Sequence, residues 1–108
     1  MRLRRRLLAL VDTEDRLIAE LGAGHSRVER LRNENIRELE MIVDDDGWPT
    51  LDDAGEEGAE AALRIAMGAV NRPSFMRLCL TQVLGAVRRG EALPAHAERL
   101  AERLKAVE

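Results

Sequence analysis

Apolar residues recur at intervals of three and four along almost the whole chain, and that spacing leaves it little choice but helix. Leu3, Leu7, Leu10, Val11, Leu17, Ile18 and Leu21 share one side of a helix over residues 2–21. Gly22-Ala23-Gly24-His25 interrupts it. Ser26-Arg27-Val28-Glu29 has the form of a capping box, in which the Ser and Glu side chains satisfy each other's backbone N–H groups. Val28, Leu31, Leu39, Ile42 and Val43 carry a second helix to about residue 45, with Gly47 as its terminator. Ala59, Ala62, Leu63, Ala66, Met67 and Val70 predict a third over about 55–70. Glu56, Glu57 and Glu60 sit in its first turns, where negative charge suits the helix dipole. Pro73 suits the first turn of a fourth helix, with Phe75, Met76, Cys79, Leu80, Val83, Leu84 and Val87 inward and Gly90 at its end. Pro94 opens a fifth, with Ala97, Leu100, Ala101, Leu104 and Val107 inward.

No strand pattern competes, and only Trp48 and Phe75 are aromatic, so the core is built of Leu, Ile, Val, Ala and Met. The 108 residues suffice for one domain. The expected fold is all-α: a single domain, 1–108, of about five helices. Residues 1–46 form a long antiparallel hairpin, 47–58 a Gly-Trp-Pro acidic connection, and 59–108 a three-helix part packed against the hairpin.

Composition narrows function by exclusion. A formal net charge of -3 exerts no global pull on nucleic acid. Cys79 is alone, which rules out an intrachain disulfide and a cysteine-based zinc site, and its place in an apolar helical pattern reads as packing. The opening Met1-Arg2-Leu3-Arg4-Arg5-Arg6 imitates the basic end of a signal peptide. The apolar run after it, Leu7 to Val11, is shorter than the ~7–15 residues required, and Asp12 ends it. No stretch approaches the ~20 apolar residues of a membrane span. A cytoplasmic protein is expected.

Arg2, Arg4, Arg5 and Arg6 could contact phosphates or a partner protein. An antiparallel hairpin, however, sets them beside Asp44, Asp45 and Asp46, and each group offsets the other's unfavourable position on its own helix dipole. Aligning the Asp cluster with a helix–loop–helix calcium site puts Ile42 at the first ligand position and Asp53 at the twelfth, so no calcium site is expected. His25 and His96 have no partners at zinc-ligand spacing, and no Gly-rich phosphate loop, nucleophile elbow or C-x-x-C is present. No cofactor is expected. Asn35 lies on or beside the apolar stripe of the second helix, either as a satisfied buried amide or as a pocket-lining group near Trp48.

Asn35 and the Gly47-Trp48-Pro49 turn, with Gly55, Gly58, Ala61-Ala62, Pro73, Phe75, Cys79, Leu80 and Glu102-Arg103, follow in order a pattern that resembles a bacterial family. It is the domain-of-unknown-function family numbered sixty-six twenty-four. The likeness runs through nearly the whole chain, and its departures share a direction. Met67-Gly68-Ala69 stands where the family has Gln-His-Ala, Arg72 where it has Asp before Pro73, and Met76 where it has Gln after Phe75. The family's closing Tyr-Gly-Thr-Gln has no counterpart up to Glu108.

The resemblance implies a degenerate relative that has kept the framework and lost polar and titratable groups. Without the family's histidine, no general base with a pKa near neutrality stands in that place. The leading expectation is therefore a non-catalytic interaction or accessory protein, with a protein partner or a second copy meeting Met67, Met76 and the N-terminal arginines. The alternative is an enzyme or small-molecule binder with a residual pocket around Asn35, Trp48, Glu102 and Arg103. Weak nucleic-acid binding through Arg2 to Arg6 is a third.

Overall fold

In the computed structural model, residues 2–108 are described; Met1 of the basic N-terminal run lies outside them. They form five α-helices: α1 (Arg2–Leu21), α2 (Ser26–Asp46), α3 (Leu51–Met67), α4 (Pro73–Arg88) and α5 (Pro94–Val107). There is no strand among the described residues. The chain is an all-α single domain with a long N-terminal hairpin.

The hairpin is antiparallel. Arg6 pairs with Glu38, the Asn35 amide donates to the Leu10 carbonyl, and Arg32 lies near Glu14, so α1 positions rise as α2 positions fall. Its joint differs from the expected capping box. His25 is the N-cap, its Nδ1 accepting from the Arg27 N–H at 3.1 Å, and Ser26 is already the first helical residue. An imidazole acceptor two residues before the N–H serves as the Ser hydroxyl was expected to. Gly47 terminates α2 with φ 81°, a conformation that glycine adopts without a Cβ penalty.

The connection after α2 is shorter than 47–58. Helix begins at Leu51, where Thr50 caps it by accepting from the Asp53 N–H at 3.1 Å. The first turn is set off by Gly55 (φ 70°, ψ 171°), a conformation essentially reserved for glycine, and the main run of α3 follows this kink. At the other end α3 stops at Met67, so Val70 falls beyond it and is exposed rather than inward. The Leu51 N–H donates to the Glu91 carbonyl at 2.9 Å, tying the Trp-Pro turn to the α4–α5 loop.

The sequence pattern predicts a hairpin with three helices laid against it; α3 instead runs through the middle, packing on α1, α2, α4 and α5. Its residues explain why. Ala54, Gly58, Ala59, Ala61, Ala62 and Ala66 are all buried, and such small side chains let neighbouring helices come close on several sides at once. The closest approach is at Gly58, where a Cβ would stand 3.0 Å from the Ala54 Cβ and 3.3 Å from the Arg4 Cα of α1. Around α3 the core gathers Leu7, Ile36, Leu39, Leu63, Phe75, Met76, Val83 and Leu100. Trp48 is 3% exposed within it. The radius of gyration, 13.2 Å, is that of a compact domain of about 100 residues.

Two further expectations need correction. Leu84, assigned inward, is 39% exposed, because α4 turns its outer side to solvent there. The arginines at the start of α1 do not pair with Asp44, Asp45 and Asp46, which are exposed at the end of α2. Arg4 pairs with Glu57 of α3 and Arg6 with Glu38 of α2, since glutamates on the flanks lie within reach before the helix end does.

Candidate functional site

Because α3 sits between the hairpin and α5, its C-terminal end leaves a hollow where α1, α2, α3 and α5 meet. The cavity measures about 390 Å³. Its apolar wall comes from Val11, Ile36, Ile65, Met67 and Val70, and its polar groups are Glu14, Arg32, Asn35, Arg64 and Arg103.

Each polar group arrives for a local reason. Asn35 lies one turn from Leu39 on the inner side of α2 and is buried; its amide N–H donates to the Leu10 carbonyl at 3.1 Å. This leaves its Oδ1, which accepts no hydrogen bond from a described residue, as the acceptor offered to the cavity. Glu14 of α1 is mostly enclosed and lies between two guanidiniums, 3.0 Å from Arg64 and 3.6 Å from Arg32. Arg64 also grips Asp15. That hydrogen bond holds the Asp15 carboxyl below the usual carboxylate range and raises the Arg64 pKa further above its ordinary value. On α5, the Arg103 Nε–H donates to the Met67 carbonyl at the end of α3, at 3.1 Å, which fixes the side chain at the cavity while its two terminal nitrogens meet no acceptor among the described residues.

The cavity joins some of the expected site residues and separates others. Asn35 and Arg103 meet in it, as does Met67. Trp48 does not line it; the indole is core, with its Nε1 buried and without an acceptor among the described residues. Glu102 is exposed on α5 and does not line the cavity. Met76, expected on an interface, is fully buried because α4 turns it toward α3 and α5. Of the N-terminal arginines, Arg2 and Arg5 are exposed without a carboxylate partner among the described residues, whereas Arg4 and Arg6 are held in ion pairs. Met67 and Gly68 both line the cavity, together with Asn35 and Arg103.

Sequence reasoning missed Glu14, Arg32 and Arg64, which read as ordinary charges on helix surfaces. It also missed a second polar cluster. His96, 4% exposed, sits with its Nε2 3.0 Å from Glu60 of α3, and Arg99 clasps the same carboxylate. The contact places the imidazole proton on Nε2; Nδ1 is buried without a partner among the described residues. The signal for this cluster was present: His96 lies one turn before Leu100 and seven residues ahead of Arg103, on the inner side of α5. Among the described residues, no group of three or more His, Cys, Asp or Glu is placed to hold a metal ion. No helix of the described residues is long and apolar enough to cross a membrane.

Comparison with family models, with curated proteins and with solved structures finds no match to this chain.

Proposed function

We propose that this chain is a small non-catalytic accessory protein of the bacterial cytoplasm, a degenerate relative of the family it resembles, and that it works by binding. One observation carries the reading. The positions at which the chain departs from Gln-His, Met67 and Gly68, line the same cavity as the retained Asn35 and Arg103. What remains there can hold a molecule by charge, hydrogen bond and apolar contact. The lining offers no imidazole, thiol or hydroxyl to act as nucleophile or as a base near neutral pH. Its one carboxylate, Glu14, is engaged by two guanidiniums. The cytoplasmic placement is supported by a lone cysteine kept as a buried thiol.

The test is a time course. Purified protein is incubated with a soluble small-molecule extract, and the pool is followed by mass spectrometry. The reading expects stoichiometric retention at most, with no component falling beyond one equivalent of protein. Depletion of any component over many turnovers contradicts it.

A protein partner or a second copy is a second reading, favoured by Leu78 and Leu84, each 39% exposed on the outer side of α4, and by Met41, 56% exposed on α2. Light scattering across a concentration series checks self-association: a mass that stays at one chain throughout removes the homodimer.

A further inference from the structure

Resting on the proposal that the cavity binds without transforming, we infer that its ligand is a small organic carboxylate with a short branched or cyclic apolar body. Three guanidiniums, Arg32, Arg64 and Arg103, face one carboxylate, Glu14, so the lining of this partly open hollow carries an excess of positive charge. Such a place favours an anion. Arg64 is already committed to Glu14 and Asp15, which leaves Arg103, across the cavity on α5, as the principal anion donor. Its Nε is anchored on the Met67 carbonyl and its terminal nitrogens meet no acceptor among the described residues, so the fork is held ready for a carboxylate. Arg32 supports it, since its 3.6 Å approach to Glu14 is too long for a hydrogen bond.

The rest of the wall defines the ligand's other end. Val11, Ile36, Ile65, Met67 and Val70 offer an apolar surface that a bare phosphate or sulfate would leave unfilled. A volume of about 390 Å³ lies within the usual range for small-molecule pockets. Asn35 Oδ1 can accept from a hydroxyl or amine on the ligand. Glu14 has a defined part in this arrangement. It partly neutralises Arg32 and Arg64, and so competes with an incoming carboxylate.

The test uses the full chain in two-dimensional ¹H–¹⁵N NMR, with isovalerate as probe. Its neutral isostere isovaleramide and inorganic phosphate serve as comparisons. Isovalerate should give saturable shifts at the Asn35 side-chain amide, the Arg103 Nε–H and the backbone N–H groups of the apolar wall, isovaleramide none, and phosphate weaker ones that do not reach the apolar wall. Arg103→Gln should weaken isovalerate binding about tenfold or more, the loss of a charge-assisted pair. Glu14→Gln, which removes the competing carboxylate, should tighten it. That opposite sign guards against a general loss of structure in the first variant. Equal response to isovalerate and isovaleramide, affinity unchanged in both variants, or shifts absent from the cavity resonances overturns the inference. Such an outcome with no turnover in the extract experiment removes the carboxylate and leaves the non-catalytic reading standing, whereas turnover removes that reading itself.

Discussion

At the scale of single residues, the indole and the thiol show what burial does in a core this poor in aromatics. Trp48 is nearly sealed. Trp48→Ala should cost about 3–5 kcal/mol, read from urea denaturation. Trp48→Phe should cost clearly less, because the Nε1–H it removes has no acceptor. Equal midpoints for the alanine variant and the parent would place the ring outside the core.

Burial pushes the Cys79 thiol up to about 12, with Glu40 adding to the rise and Arg72 opposing it. The native thiol should therefore resist a disulfide reagent near pH 8 and react fully in denaturant. The sign of its pH effect follows. Above the ordinary thiol range the unfolded chain loses the proton and the folded chain keeps it, so stability falls as pH rises toward the folded value. Cys79→Ala should flatten that alkaline decline in a melting series; a decline of the same slope in both proteins would assign it elsewhere.

Asn35 and Arg103 could be picked out in the sequence, by an amide on an apolar stripe and by a resemblance to a known family. Glu14, Arg32 and Arg64 could not. Their role depends on which helix faces which, and helical periodicity does not encode that.

At the scale of elements, helix existence was legible and helix ends were less so. Leucine spacing set α1 and the proline starts set α4 and α5, since a ring at N1 marks a boundary directly. The start of α3 was hidden because Thr50 and Asp53 make a capping turn upstream of a glycine that, read alone, looks like a loop. Gly55→Ala should cost at least about 1 kcal/mol, as a side chain is forced into a backbone region it avoids. Gly58 makes the sharper case. In an exposed helix Gly→Ala gains about 1 kcal/mol of propensity. Here the new methyl meets the α1 backbone at Arg4, which cannot yield without parting two helices. Gly58→Ala should therefore lower the melting temperature and Gly58→Val should lower it further. A rise in either would show that α1 and α3 are not in such close contact.

For the molecule as a whole, the residue that decides the architecture is alanine. A helix whose buried positions are mostly Ala and Gly can accept neighbours on several sides, and so α3 becomes the axis of the bundle rather than one of three helices on a hairpin. The class and the hairpin were readable from period and loop length. The central place of α3 was not, because the alanine stripe was read only as a helix face and not for its width. The cavity follows from that arrangement. It opens at the C-terminal end of α3, around Met67 and Gly68, and four elements supply its lining. Its charges are brought together by topology: Glu14 from α1, Arg32 from α2, Arg64 from α3 and Arg103 from α5. Asp15 and Arg64 add a pH consequence outside the cavity. The Asp15 pKa is lowered by its arginine, so the contribution of this exposed pair is present at neutral pH and lost as pH falls through the folded value.

The most direct measurement is native mass spectrometry of the wild-type chain and Arg103→Gln after exposure to the same small-molecule extract. The account predicts a single adduct on the wild-type chain, carboxylate-bearing and released unaltered on denaturation, and a much reduced adduct on the variant. An identical adduct on both proteins, or a released species chemically different from anything in the starting extract, would contradict it.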